Sequence, residues 1–273
     1  MRTLVHLSDL HFGRVDAALL QPLQQLVTQL APDVLVVSGD LTQRAKSDEF
    51  KAARAFLDTL PGPQIVVPGN HDIPLYNIAK RFLTPLMNYQ RYVTLDLLPQ
   101  YVDEEIAVVG INTARSLTFK DGRINRQQIA QIQQRMEGVA PHLTRIVVTH
   151  HPFDLPEHHD EDALVERAPL AMNAFAECGV DLLLAGHMHT SHAANSAQRY
   201  KISGYAALMV QAGTATSTRA RGEANGFNLL RVEHDLIQVE RYSWMPDQAG
   251  FAPASSEQFR RIGDVWSQSG YSQ

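Results

Sequence analysis

Five short, almost unbroken apolar runs, at residues 4–7, 34–37, 65–67, 146–148 and 182–184, recur between stretches of helical patterning. A strand that is apolar on both faces must be covered on both faces. Leu20, Leu23, Val27 and Leu30 define one face of a helix, which Pro32-Asp33 ends. Ser47 is the expected N-cap of the next helix, with Asp48 and Glu49 in its first turn and Phe50, Ala53, Phe56, Leu57 and Leu60 turned inward. The spacing further predicts helices over 75–89, 125–136 (capped by Asn125) and 164–178, and a strand over 107–111. Segments 207–211, 227–232 and 237–244 alternate like antiparallel strands joined by turns. Alternating buried strands and helices predict an α/β chain whose sheets are covered by helices. The expected domain is 1–249, with 250–273, richer in Ser and Gln, as a docked or loose tail.

The 273 residues suit one large α/β unit, and 44% hydrophobic content supplies a sizeable core. The net charge of −5 is dispersed and shows no basic face, which argues against nucleic acid as a partner. Cys178 is the one cysteine, so neither an intrachain disulfide nor a thiolate metal cluster can form, and it reads as a small core residue. The N-terminus makes a poor signal peptide and no stretch is suited to span a bilayer, so the expected location is the cytoplasm.

Polar residues punctuate the ends of the apolar runs: Asp9-x-His11, Gly39-Asp40, Gly69-Asn70-His71-Asp72, His150-His151 and Gly186-His187-x-His189. In α/β proteins ligands bind at the carboxyl ends of strands, so these groups are delivered to one edge. Each run alone is explained by turns, caps or polar loops. Their joint placement is explained by metal binding. Carboxylate, amide oxygen and imidazole suit Mn, Fe, Zn or Co better than calcium or magnesium. Asp40, in the middle of the set, is the natural bridge between two cations.

This series resembles the calcineurin-like metallophosphoesterase superfamily, from Asp9 to His189. Residues 6–12 and 38–42 look most like its class III cyclic-nucleotide phosphodiesterases. The resemblance implies a four-layer α/β/β/α sandwich of two mixed sheets flanked by helices, with two divalent ions (Mn, Fe or Zn). It implies that Asp9, His11, Asp40 and His189 hold one ion, and Asp40, Asn70, His150 and His187 the other. His71 would be the catalytic histidine, hydrogen-bonded by Asp72 or a neighbouring carboxylate. A hydroxide bridging the ions would attack phosphorus, with no phosphoenzyme.

Arg44, Arg115 and Arg219 are candidates to grip the phosphate, with Arg221 beside the last. Residues 154–162, which include His158 and His159, read as a solvated lid. The expected substrate is a small phosphodiester, with cyclic AMP ahead of other nucleotide, pyrophosphate-linked or lipid-linked phosphates. A non-catalytic scaffold conflicts with the intact ligand set. The late strands are compatible with a homodimer but do not require one.

Overall fold

The computed structural model describes residues 1–117, 121–156, 163–219 and 222–269. The first half lays down three parallel strands, β1 (Arg2–Leu7), β2 (Val34–Ser38) and β3 (Gln64–Val67). Helices α1 (Ala17–Leu30) and α2 (Ser47–Leu57) connect them. Then come α3 (Ile78–Leu83), α4 (Met87–Tyr92), β4 (Gln100–Val102), β5 (Ile106–Gly110), α5 (Arg126–Glu137) and β6 (Thr144–Val148). Next are α6 (Ala168–Glu177), β7 (Leu182–Ala185), β8 (His192–Asn195), β9 (Tyr205–Ala206) and β10 (Leu208–Gln211). The chain closes with β11 (Gly226–Val232), β12 (Leu236–Met245), β13 (Gly250–Ile262) and β14 (Asp264–Ser269).

Two mixed sheets result, in the orders β3-β2-β1-β11-β12-β13-β14-β9 and β4-β5-β6-β7-β10-β8. The period-2 geometry of strands explains why the central ones are apolar throughout. Val5, Leu7, Leu35 and Val37 face one way, into a core shared with Leu23 and Val27 of α1 and Phe50 and Leu57 of α2. Leu4, Val34 and Val36 face the other way, against Ile106, Val108, Ile146, Val148, Leu182 and Leu184 of the smaller sheet. That sheet's opposite residues, Ala107, Val109, Val147 and Leu183, pack with Ile132 of α5 and Phe175 of α6. The layers therefore run helix, sheet, sheet, helix, as the resemblance implied.

Several expectations are corrected in detail. The 75–89 helix is two short helices, because Pro85 cannot join a continuous helical ladder. The helix expected from 164 begins only at Ala168, with Pro169 in its first turn, where its missing N–H costs nothing. Ser47 is the first helical residue rather than the cap. Glu49 reaches back instead, and its Oε2 accepts from Arg44 N at 2.7 Å and Lys46 N at 3.4 Å. Segment 207–211 does not pair with the late strands. It becomes β10, parallel to β7 and antiparallel to β8 in the smaller sheet. The segment expected as a tail supplies β13, paired with β12 along its length, and β14, so residues 250–269 are built into the larger sheet.

Candidate metal centre

β1, β2 and β3 in one sheet and β6 and β7 in the other release their chains at a common edge. Asp9, Asp40, Asn70, His150 and His187 follow these strand ends directly. Backbone hydrogen bonds lock the loops together: Asp9 N donates to Gly39 O (3.1 Å), His11 N to Asp40 O (2.9 Å) and Gly186 N to His150 O (3.0 Å). From the loop after β10, Thr214 Oγ1 donates to Asp9 O and Thr216 Oγ1 to Leu10 O, both at 2.8 Å.

Five of the expected ligands sit on left-handed backbone: Asp9 (φ 53°), His11 (51°), Asp40 (52°), His187 (75°) and His189 (61°). Such torsions are uncommon outside glycine and persist where the surroundings over-determine them. In Asp9-x-His11 and His187-x-His189 this curl turns both outer side chains into the same space. Glycines make the close approach possible. Gly39 has φ 93°, and a Cβ there would lie 2.6 Å from His150 Nδ1. A Cβ on Gly186 would strike Ser8 Oγ and lie 2.7 Å from Asp9 Oδ2.

Two clusters result. Asp9, His11, Asp40 and His189 are all buried and converge on one point. Asp9 Oδ1 lies 3.2 Å from His189 Nε2 and 3.5 Å from His11 Nε2, and the two imidazole nitrogens are 3.2 Å apart. Asn70 Oδ1 stands 3.1 Å from His150 Nε2 and 3.2 Å from His187 Nδ1, with those nitrogens 3.3 Å apart. Asp40 lies between the clusters. Its Oδ2 is 3.6 Å from His11 Nε2, and its Oδ1 is 3.4 Å from His150 Nε2. The sequence thus brings all seven expected ligand side chains into one place.

The donor chemistry fits cations. Asp9 Oδ1 is buried and has no hydrogen-bond partner among the described residues, an expensive arrangement unless a cation completes it. Burial opposes ionisation of Asp9, yet the surrounding imidazoles, His189 first, hold its carboxyl well below the usual range. The same balance, with burial opposed by His150 and His11, lowers Asp40. Burial, helped by His150, pushes His187 down to about 3. Ionised carboxylates at Asp9 and Asp40 and a neutral imidazole at His187 are the protonation states in which these groups bind metal.

Some neighbours escaped the sequence reading. His151 is buried, and its ring centroid is 4.7 Å from that of His187. It forms a cluster with His150 and His187, and its Nδ1 shares a 2.8 Å hydrogen bond with Thr113 Oγ1. Ser8 Oγ donates to Asp9 Oδ2 at 2.6 Å and fixes that carboxylate. Ser8 is not a metal-ligand type, and His151 entered the sequence reading only as half of the His150-His151 pair, with no ligand role implied for it.

His71 reaches the same edge, with its ring T-shaped against His11 at 5.0 Å. Its backbone N–H donates to Asp40 Oδ1 at 2.8 Å. Its Nδ1 is 3.0 Å from Gln43 O, and its Nε2 is 3.1 Å from Arg219 Nη1. Because a guanidinium can only donate, Nε2 accepts and Nδ1 carries the proton. Burial lowers the His71 pKa, opposed by Asp40 and assisted by His11. The expected partner Asp72 is therefore corrected. Its carboxylate turns away and accepts from Leu41 N (3.1 Å), Thr42 N (2.9 Å), Thr42 Oγ1 (2.9 Å) and Gly69 N (2.9 Å). It clamps the Asp40 and Asn70 loops together. Burial, with Asp40 nearby, raises its pKa to about 6.

The arginines divide. Arg219 meets His71. Arg44, half-buried on the Asp40 loop, lies over the ring of Tyr76 at 5.1 Å. Arg115 is tied instead to Asn112 O, Ala114 O and Gln128 Oε1, beside a separate cavity of about 320 Å³ shared with Arg123 and Glu166. Asp154 accepts from His192 Nε2 (3.1 Å) and Arg199 Nε (2.9 Å). Residues 157–162, with His158 and His159, and Arg221 lie outside the described residues.

A helix-flanked pair of sheets carrying two Asp/Asn/His clusters at one edge defines a metallophosphoesterase. Residues 2–191 match the family model of calcineurin-like phosphoesterases, and the chain belongs to that family, a class of phosphoric ester hydrolases. It is 28% identical over 166 residues to a probable cyclic nucleotide phosphodiesterase of Synechococcus sp.; the match covers 59% of this chain and 59% of that relative, less than two thirds of its length. It is 25% identical over 204 residues to the glycerophosphodiester phosphodiesterase GpdQ of Enterobacter lignolyticus, covering 64% and 69% of the two chains. The fold resembles that of a dimetal phosphatase from Danio rerio, with TM-score 0.65, 13% identity and coverage of 92% and 98%.

Proposed function

We propose that the chain is a two-metal phosphodiesterase acting on a small phosphodiester, with 3',5'-cyclic nucleotides such as cyclic AMP as the leading substrate class. The observation that carries this reading is the placement of Asp40 between the two clusters, one carboxylate oxygen toward each. Asp9, His11, Asp40 and His189 would hold one divalent ion, and Asp40, Asn70, His150 and His187 the other, as Mn, Fe or Zn. When bound, such a pair supplies charge neutralisation at the phosphoryl group and an acidified water.

The protein groups do the rest. Arg219 gives its donor to a non-bridging phosphoryl oxygen and so leaves Nε2 of His71. The arriving anion raises the proton affinity of that imidazole. His71, held through Nδ1 by Gln43 O, then takes up a proton from solvent at Nε2 and delivers it to the leaving oxygen. Asp72 acts as a positioning residue. Ser8 and Thr214 hold the Asp9 loop, so the carboxylate needs little reorganisation.

The similarity to GpdQ favours glycerophosphodiesters as a second substrate class. The test is turnover of cyclic AMP, glycerophosphodiester, bis-p-nitrophenyl phosphate and p-nitrophenyl phosphate after loading with manganese, iron or zinc. Diester cleavage led by cyclic AMP supports the reading. Preference for the monoester contradicts it, and a metal-replete protein inert toward all four points to a scaffold. No described helix is long and apolar enough to cross a membrane.

A further inference from the structure

α3 is turned inside out. Of its six residues only Arg81 is buried, at 2% exposure, while Ile78 is 70%, Phe82 52% and Leu83 80% exposed. The guanidinium points into the protein, where Arg81 Nε donates to Ser116 O (2.7 Å) and Nη1 to Pro74 O (3.1 Å). A surface helix in water ordinarily shows the reverse arrangement. Tyr76 at 75% and Met87 at 42% exposure flank it in sequence. The Arg81 tie brings in the 115–117 segment, whose Leu117 is 80% exposed. Apolar exposure concentrated on one short helix and its neighbours marks an interaction surface.

Charge identifies the partner. Between Asp72 and Asp96 the chain contains Lys80, Arg81 and Arg91 and no acidic residue, although the whole chain carries −5. Lys80 and Arg91 are exposed. An exposed apolar face on a segment that carries cations and no acid, as residues 73–95 do, is the composition of segments that lie in the interface of anionic membranes. A second copy docked face to face through the same patch would set Lys80 and Arg91 against their own counterparts, a like-charge contact. The patch also adjoins the metal centre. Tyr76 is five residues from His71, and it carries Arg44, a neighbour of the Gln43 that holds the His71 ring.

We propose that α3 and the adjoining Tyr76, Met87 and Leu117 form an interfacial anchor that seats the edge of the metal centre on an anionic lipid surface. This rests on the proposed phosphodiesterase reading only for its consequence, that the metal centre meets its phosphodiester, soluble or lipid-linked, beside a membrane. The docking itself stands on the patch.

The full chain is floated with vesicles of phosphatidylcholine alone and of phosphatidylcholine with phosphatidylglycerol, beside a variant carrying Ile78→Ser, Phe82→Ser and Leu83→Ser. These side chains are exposed, so the variant retains the fold, checked by its melting temperature and its turnover of soluble bis-p-nitrophenyl phosphate. The expected result is binding to the phosphatidylglycerol vesicles, weakened by salt, with the partition constant lowered about tenfold or more in the variant. Absence of wild-type binding, or equal binding by the variant, overturns the proposal. So does self-association in sedimentation that the variant abolishes, which assigns the patch to a second copy. Failure of bis-p-nitrophenyl phosphate turnover in both proteins with vesicle binding intact would count against the phosphodiesterase reading alone and leave the anchor supported.

Discussion

Gly186 is the tightest point beneath the first cluster, and Gly186→Ala tests whether its geometry depends on backbone packing. The added Cβ would strike Ser8 Oγ, stand 2.9 Å from Ser8 Cβ and stand 2.7 Å from Asp9 Oδ2. Carbon atoms prefer separations of about 3.5–4.0 Å, so Ser8 must retreat by at least about 0.6 Å. The Ser8 hydroxyl then leaves Asp9 Oδ2, and the carboxylate loses the 2.6 Å bond that fixes it. Loss of such a supporting partner costs about 10–100-fold in metal affinity. A misplacement near 1 Å costs about 100-fold in turnover. We therefore expect kcat/KM on bis-p-nitrophenyl phosphate to fall about 100-fold or more, with sub-stoichiometric manganese by metal analysis. Adding Ser8→Ala removes the hydroxyl collision while leaving the 2.7 and 2.9 Å contacts, so it should restore activity partly. Wild-type kinetics and full metal content in Gly186→Ala would refute the reasoning.

Two further outcomes follow from the same geometry. His71→Ala should lower kcat by about 10²–10⁴-fold while two metal equivalents remain bound; metal analysis and steady-state kinetics together check this, and undiminished turnover removes His71 from the mechanism. His6 is fully buried beside Ser38 Oγ at 2.8 Å, and burial pushes its pKa to about 3. The unfolded chain takes up this proton below about pH 6.5 and the folded chain does not, so stability falls as pH drops from 6.5 toward 3. Between pH 6.5 and 5 the loss is about 2 kcal/mol, and urea unfolding of His6→Gln should show a correspondingly shallower pH dependence; identical slopes in the two proteins would contradict it.

The sandwich core was legible because burial on both faces leaves a mark that other arrangements rarely produce. Runs such as Val34–Val37 and Leu182–Leu184 feed two cores at once, alternating residue by residue. The same rule explains the error at Leu208–Gln211. Its two-sided burial, with Met209 toward the helices and Leu208 and Val210 between the sheets, fits a parallel strand, but a four-residue run does not reveal which sheet it joins. β4 is three residues long and half exposed, too short for any period to register. β13 exposes most of its side chains and is held through backbone pairing with β12 and β14, which composition does not record.

At the site, residue type marked which side chains gather at the common edge but not the direction of each bond. Asp72 follows His71 in sequence, which suggested a partnership, yet the 3-10 turn over Asn70–Asp72 sends its carboxylate toward Leu41, Thr42 and Gly69. Arg115 follows a strand end as Arg44 follows another, but Gln128 and two carbonyls hold it elsewhere. The left-handed torsions at Asp9, His11, Asp40, His187 and His189 left no mark either, since none of these residues is glycine.

The central claim is that one carboxylate joins two cation sites, and anomalous scattering from manganese-loaded crystals of the wild type and Asp40→Ala tests it most directly. The account predicts two peaks about 3.5–4 Å apart in the wild type, one within the Asp9, His11 and His189 cluster and one within the Asn70, His150 and His187 cluster, and neither at full occupancy in Asp40→Ala. A single wild-type peak, or two undiminished peaks without Asp40, would contradict it.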